Sequence, residues 1–172
     1  MSLRIPQSFF QREASQVAPE LLGKTLVRKF DDGTTQRFVI TETEAYRGRD
    51  DKACHANKGL TKRTEVMFRE GGLVYVYLIY GMYWLLNIVT GEKNDASAVL
   101  IRGIENISGP GRVGKALQLD KSFYGEDLNT STRIWIEDSD TLPEYQAGPR
   151  VGIDYAGEPW VSIPWRFMME KS

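Results

Sequence analysis

One carboxylate stands out in the sequence as a candidate for chemistry. Glu44 lies near the end of a mostly apolar segment, residues 37–46. Alternation along this predicted strand places Glu42, Glu44 and Tyr46 on one face. A carboxylate held in an apolar strand must either be paired or take part in a reaction. Arg102, at the end of a later apolar strand, is the candidate partner, and the spacing leaves a structural Glu–Arg pair and a reactive carboxylate equally open.

A second candidate is the aromatic stretch over residues 73–88, which holds four tyrosines and no charged residue. Two runs rich in aromatic and branched residues meet at Gly81, which predicts a β-hairpin with Tyr80 near its tip. The stretch is shorter than the about 20 apolar residues that a membrane helix needs. By composition alone it is a core hairpin with tyrosines at its rim. The close spacing of the hydroxyl groups is unusual for a simple core and leaves a site open as the alternative.

Basic side chains concentrate in residues 47–70, which are polar and weakly periodic. Seven Lys and Arg residues oppose four Asp and Glu residues there, so the segment carries +3 in a chain of net charge −1. Long irregular loops are often functional, although a mixed-charge run is more commonly a solvated surface. Arg112 and Lys115 begin a predicted helix over residues 112–119, which could bind phosphate or simply lie at the surface.

The composition limits the classes of protein that remain. With 172 residues, 41% of them hydrophobic and 26% charged, the chain predicts one globular domain, residues 1–172, with a real core. A pI of about 5.9 excludes a whole-molecule positive field, so contact with nucleic acid requires a local patch. The single cysteine, Cys54, excludes an internal disulfide framework, and with one histidine, His55, no zinc site is expected. The lack of a signal-peptide pattern predicts a cytoplasmic protein.

The elements that must position these residues are mostly short strands. Residues 8–22 predict a helix that Pro19 breaks into two short helices. Residues 24–30 and 37–46, joined by Asp-Asp-Gly, predict a second hairpin. Further strands are predicted over residues 96–102 and 133–137.

Seven segments together resemble a known family. They are T-E-T-E-A-Y (41–46), A-C-H-A (53–56), T-K-R-T-E-V-M-F (61–68), V-Y-V-Y-L-I-Y-G-M-Y-W-L-L-N-I (74–88), L-I-R (100–102), G-P-G-R-V-G-K-A-L (109–117) and P-R-V-G-I-D-Y-A-G (149–157). In this order they resemble the alkyladenine (3-methyladenine) DNA glycosylase family, over most of the chain from Leu21 onward. The chain departs from the family at Thr64, where Asn often follows the arginine.

The resemblance implies a catalytic group and an aromatic pocket. Glu44 is expected to be the catalytic acid/base residue, and Arg102 to support it and the attacking water. Tyr46, His55 and Tyr77 are expected to surround a base that has been turned out of the DNA stack. Methylated purines are often cationic, and aromatic faces attract cations. An ionised Glu44 would stabilise positive charge on the sugar and accept a proton from water.

The resemblance also implies how DNA is held. Asn87 is expected to obstruct the exocyclic amine of guanine. Tyr80 is expected to enter the DNA stack, since turning out a base costs a few kcal/mol and an inserted side chain offsets part of that cost. Independently of the resemblance, Arg63 in the basic segment 47–70 and the pair Arg112 and Lys115 are candidates for contacts with the DNA backbone.

These observations predict an α+β fold, with a curved antiparallel sheet, peripheral helices and a protruding hairpin. The predicted function is hydrolytic excision of alkylated or deaminated purines from double-stranded DNA by a monomer without cofactor, metal, membrane or obligate protein partner. Water is the expected nucleophile, since no lysine lies in the Glu44 or hairpin motifs. The alternatives are a catalytically silent module that binds damaged DNA, which would not need both Glu44 and Arg102, and a hydrolase of free nucleosides, which would not need Tyr80 as a wedge.

Overall fold

Strands make up most of the regular structure in the computed structural model, which describes residues 3–140 and 142–170. Across these residues nine strands form one mostly antiparallel, open sheet. They are β1 (Thr25–Lys29), β2 (Thr35–Tyr46), β3 (Val74–Ile79), β4 (Tyr83–Thr90), β5 (Ser97–Ile104), β6 (Ile107–Ser108), β7 (Ile134–Glu137), β8 (Tyr145–Gly148) and β9 (Arg166–Met169). The main path runs β3-β4-β5-β2-β1-β7, while β6 pairs with β5, and β9 pairs with both β2 and β8.

The helices are short. Two of them precede the first strand, and the third follows β6. The α-helices of the described residues are α1 (Gln7–Phe10), α2 (Ala14–Leu21) and α3 (Pro110–Ala116), and 3₁₀ turns occur at Gly48–Asp50, His55–Lys58, Glu65–Phe68, Lys121–Phe123 and Asp154–Ala156. The predicted α+β class is thereby confirmed. None of these helices has the length and apolar character needed to cross a membrane. The predicted domain, residues 1–172, includes five positions outside the described residues.

The long strand β2 directs Thr43 and Ala45 to one face of the sheet and Glu44 to the other. Thr43 and Ala45 are fully buried, and the Thr43 hydroxyl donates a hydrogen bond to the Ala18 carbonyl of α2 at 2.8 Å. Ala45 and Leu21 both belong to the main hydrophobic core. Because side chains alternate along a strand, Glu44 points away from this core.

The aromatic hairpin forms as predicted. Strand β3 pairs with β4 from Val74↔Ile88 to Ile79↔Tyr83, so the turn consists of residues 80–82. Tyr80 and Gly81 both have positive φ values, 51° and 67°, which closes the turn. The Tyr80 side chain is 87% exposed at the tip. Towards the base of the hairpin, Val74 and Val76 belong to the main core, so the neighbouring tyrosines face the opposite side.

Three boundary predictions were wrong. The predicted N-terminal helix is interrupted at residues 11–13 and not at Pro19, which lies inside α2. The amide that Pro19 lacks would have bonded to the first turn of α2, so only one internal bond is lost. Strand β5 continues past Arg102 to Ile104, because pairing with β2 and β6 extends that far. Helix α3 begins at Pro110, since the fixed φ of proline suits a first helical position.

Candidate active site

A cavity of about 290 Å³ lies between the aromatic hairpin, the end of β2 and the chain that follows β8. It brings together residues that are far apart in the sequence. Among the predicted residues, its lining includes Glu44, Tyr46, His55, Tyr77, Tyr80, Asn87 and Arg102. The candidates for the reaction, the pocket and the DNA wedge therefore share one cavity, whereas the three candidates for backbone contacts do not line it.

Glu44 is fully buried at this cavity and is held by two hydrogen bonds. Its Oε1 accepts from the Tyr46 hydroxyl at 2.8 Å, and its Oε2 accepts from the Val151 amide at 2.7 Å. Burial raises the pKa of Glu44, and the Val151 amide and then the charge of Arg102 oppose this rise. The carboxyl group is thus more easily protonated than an exposed glutamate, while its hydrogen-bond partners favour the ionised form.

Arg102 is shared between two glutamates. Its Nη1 lies 3.8 Å from Glu44 Oε1, beyond hydrogen-bond range, while its Nε donates to Glu42 Oε2 at 3.3 Å. Arg102 and Glu42 each expose about one seventh of their side chains, at 16% and 14%. The predicted Glu44–Arg102 pair is therefore an ion pair without a direct hydrogen bond. Alternation placed Glu42 on the same face as Glu44 but did not indicate its contact with Arg102.

Aromatic rings line the same cavity as Glu44. The rings of His55 and Tyr77 meet edge to face, with centroids 4.4 Å apart. The hydroxyl of Tyr75 lies 3.0 Å from His55 Nδ1, a contact that fixes the orientation of the imidazole. Burial, followed by the charges of Arg63 and Lys58, lowers the pKa of His55 to about 4. The imidazole is therefore neutral near pH 7.

Asn87 carries an unsatisfied donor. It lies in β4 opposite Tyr75 and Leu100, and only 4% of it is exposed. Its Nδ2 has no hydrogen-bond partner among the described residues. Leaving a buried amide unpaired costs about 1–3 kcal/mol. This nitrogen is therefore available to donate a hydrogen bond to a group that enters the cavity.

Residues 47–70, for which the sequence left a functional loop and a solvated surface open, expose all seven Lys and Arg side chains but bury most of their apolar residues. Short 3₁₀ turns pack the segment onto the sheet, and Cys54, Val66 and Met67 are buried. Burial raises the pKa of the Cys54 thiol to about 12. No group of three or more His, Cys, Asp or Glu side chains in the described parts of the chain is arranged to hold a metal ion.

A buried ion pair joins this segment to the chain after β8. Arg150 donates two hydrogen bonds to Asp51, at 2.6 and 3.0 Å, and both side chains are fully buried. Asp51 also accepts from the amides of Arg47 and Ala53, while Arg150 donates to the Ala45 carbonyl at 3.0 Å. The pair thus fixes the two segments that carry His55 and the Val151 amide.

The basic candidates lie around the cavity. The Arg63 guanidinium is 5.2 Å from the centre of the Tyr77 ring. Arg112 and Lys115 are exposed on α3. Helix α3 packs so closely on β4 that a Cβ at Gly114 would lie 1.8 Å from the Trp84 carbonyl oxygen. These two cations are therefore held beside the hairpin.

Four residues of this site were missed in the sequence. Tyr75, Glu42 and Arg150 act through side chains whose partners lie on other elements, and Val151 acts through its backbone amide. The motif at 149–157 drew attention to the correct segment. A backbone donor has no sequence signature, however, so the residue could not be selected.

A buried acid at an aromatic cavity, next to an exposed tyrosine on a rigid hairpin, defines an enzyme-like site. Comparison with known proteins identifies the family. The sequence model of the methylpurine-DNA glycosylase (MPG) family matches residues 8–109 and 105–172. The chain therefore belongs to this family of DNA glycosylases, as the resemblance of its motifs indicated.

Relatives from distant organisms align along nearly the whole chain. Each of the following bears the name "Putative 3-methyladenine DNA glycosylase". The protein of Methanocella arvoryzae is 42% identical over 188 residues, which cover 98% of this chain and 93% of the relative. That of Myxococcus xanthus is 43% identical over 180 residues, 98% of this chain and 91% of the relative. That of Legionella pneumophila strain Corby is 42% identical over 177 residues, 97% of this chain and 94% of the relative.

Proposed function

We propose that this protein turns alkylated or deaminated purines out of duplex DNA and hydrolyses their N-glycosidic bonds. The substrates are of the 3-methyladenine, hypoxanthine and etheno-adenine class, and the product is an abasic site. The observation that carries this proposal is the buried Glu44, held by Tyr46 and the Val151 amide at the end of the aromatic cavity. Family membership supports it independently.

Glu44 is proposed to act on water. Its fixed carboxylate accepts a proton as water attacks the sugar, and its charge stabilises the positive sugar of the transition state. Arg102, at 3.8 Å, favours the ionised form without occupying the lone pair that water needs. No lysine is among the described residues that line the cavity, which supports water rather than an amine as the nucleophile.

The aromatic residues are proposed to bind the extruded base. Tyr46, His55 and Tyr77 present ring faces and edges that attract a cationic methylated purine. The low pKa of His55, about 4, keeps the imidazole neutral, so it does not repel that positive charge. Because the imidazole carries no charge, the aromatic rings are also proposed to accept uncharged lesions such as hypoxanthine.

The remaining parts of the proposal concern DNA and assembly. Arg63, Arg112 and Lys115 are proposed to contact phosphates, and each such contact contributes about 0.9 to the slope of log affinity against log salt. We further propose that residues 1–172 form one glycosylase domain that acts as a monomer.

The test is a set of duplexes, each with one lesion, assayed for free base and for abasic sites. Base release from at least one lesion duplex is expected, with no strand cleavage by the protein itself. The same lesions as free nucleosides are the control, and they are expected to react slowly because they lack the phosphates and neighbouring bases that the protein is proposed to contact in duplex DNA. Binding without base release would instead identify a silent damage-binding module.

Asn87→Ser is expected to admit guanine. The smaller side chain leaves room for the exocyclic amine, and a steric difference of one methylene-sized group in a pocket changes selectivity by about 10- to 200-fold. The measurement is guanine release from undamaged duplex, with adenine release from the same duplex as the internal control. If guanine release does not rise, Asn87 is a structural residue of β4 and not a gate.

Tyr80→Ser is expected to impair excision from stable duplex. The change keeps a hydroxyl but removes the ring that fills the gap in the stack. Loss of a base–aromatic stack costs about 1–3 kcal/mol, which is roughly a 5- to 150-fold loss of the flipped population. A fluorescent lesion analogue that responds to unstacking measures that population directly.

Two comparisons separate a wedge from other roles of Tyr80. The defect is expected to shrink when the lesion lies in a mismatch, where unstacking is already easy. Tyr145→Ser, which removes a part-exposed tyrosine of β8 that is not among the described lining residues of the cavity, is expected to have no effect. Equal defects on matched and mismatched duplex would mean that Tyr80 contributes to the base pocket or to folding and does not act as a wedge.

A further inference from the structure

Glu42, the second glutamate on the cavity face of β2, binds two arginines. Its Oε2 accepts from Arg166 Nε at 2.6 Å and from Arg102 Nε at 3.3 Å. Both contacts converge on one oxygen atom of a side chain that is only 14% exposed. Glu42 therefore holds two guanidinium groups in fixed positions beside Glu44.

Both arginines are neighbours of Glu44 in the sheet. Arg166 lies directly opposite Glu44 in the pairing of β2 with β9, where side chains of paired residues are neighbours. Arg102 extends from β5 to within 3.8 Å of Glu44 Oε1. Neither arginine donates a hydrogen bond to Glu44 among the contacts of the described residues, and each directs its Nε to Glu42.

The shape of β2 makes this arrangement possible. The register between β2 and β5 shifts twice around Glu42, which marks a bulge that re-aims side chains. Gly103 pairs with Glu42 there, and a Cβ at Gly103 would come within 3.1 Å of the Glu42 Cβ. The glycine leaves space for the Glu42 side chain to lie next to Arg102.

We propose that Glu42 is a positioning residue that holds the guanidinium groups of Arg102 and Arg166 away from a direct hydrogen bond with Glu44. This inference rests on the proposed function. An arginine in direct contact lowers the pKa of a carboxyl group by about 1–3 units and occupies its lone pairs. By retaining both arginines, Glu42 keeps Glu44 basic enough to accept a proton from water.

The other groups around Glu44 do not provide this control. They are the Tyr46 hydroxyl on β2, the Tyr77 hydroxyl on β3, and three groups on the chain after β8, namely the Val151 amide, the Arg150 charge and the Tyr155 hydroxyl. Arg150 is already committed to Asp51 by two hydrogen bonds. Arg102 and Arg166 are thus the two guanidinium groups whose position depends on Glu42.

The test is the pH dependence of single-turnover excision by Glu42→Gln. Without the charge of Glu42, one or both arginines are expected to move onto Glu44. The acidic limb of the profile should then shift by about one unit or more to lower pH. The rate on the plateau should fall by about 10- to 100-fold, the range known for residues that orient metal ligands. Affinity for the lesion duplex should stay the same.

Two further variants make the result decisive. Glu42→Asp keeps the charge and is expected to restore the acidic limb towards that of the parent. Glu126→Gln breaks a comparable pair with Arg133, at 3.1 Å, whose residues do not line the cavity, and is expected to change neither limb nor plateau. A Glu42→Gln variant with a lower melting temperature but an unshifted limb would overturn the proposal.

The parent enzyme separates this inference from the proposed function. If the parent releases no base from any lesion duplex, the proposed function fails. If the parent releases base and Glu42→Gln shows the same limb and plateau, only the positioning role fails.

Discussion

Glu44→Gln is expected to lower single-turnover excision by about 10²–10⁴-fold, the contribution typical of a positioned general base. The substitution keeps the size of the side chain and an oxygen that can accept from the Val151 amide, but it removes the charge and the basicity. Affinity for a lesion duplex is expected to remain close to that of the parent. The measurements are base release with enzyme in excess and equilibrium binding to the same duplex.

The pH profile provides the second part of this prediction. Because burial raises the pKa of Glu44, the acidic limb of the parent should lie above the pKa of an ordinary glutamate. The residual activity of Glu44→Gln should lack that limb. Parent-like excision by Glu44→Gln would remove Glu44 from the mechanism and leave the structural ion pair with Arg102 as its role.

Although Glu44→Gln is expected to lose activity, it should gain stability at neutral and higher pH. A carboxyl group whose pKa is raised by folding contributes stability below its unfolded pKa, and this contribution is lost as the pH rises through the folded pKa. Glu44→Gln is therefore expected to unfold at a higher temperature than the parent near pH 8. The difference should narrow as the pH falls towards 4. Melting curves at the two pH values measure it, and a variant that is less stable at pH 8 would contradict the assigned direction.

Asp51→Asn is expected to destabilise the protein by about 3–5 kcal/mol, because it leaves the buried charge of Arg150 uncompensated. Asp51 accepts four hydrogen bonds, two from Arg150 and two from backbone amides. An asparagine has one acceptor oxygen in place of two and directs its NH₂ group at other donors. Urea unfolding of the variant and the parent at neutral pH measures the loss.

The control for Asp51 has similar geometry but lies at the surface. Arg69 also makes two hydrogen bonds to one carboxylate, that of Glu65, at 2.9 and 2.7 Å. Both side chains are about half exposed, so Glu65→Gln should cost about 0–1 kcal/mol. Equal losses in the two variants would mean that burial does not govern the strength of the Asp51–Arg150 pair.

The elements of the fold could be predicted because their signals are local. Alternation over residues 37–46 placed Glu44 and Tyr46 on the face away from the core, and the glycine after Tyr80 fixed the tip of the hairpin. Both patterns depend on residues that are adjacent in the sequence. The end of β5 and the start of α3 were misplaced, because pairing partners and a proline at the first helical position extended these elements.

The sequence by itself determined the family, the hairpin and the side chains available for the site. Only the tertiary structure decided which of them control Glu44. The Val151 amide reaches Glu44 across 107 residues, and Arg150 reaches Asp51 across 99. Arg102 turned out to be shared with Glu42 instead of belonging to Glu44 alone. The physical reason is that burial and hydrogen-bond geometry arise when distant strands pack together, and no local pattern of residue types encodes those distances.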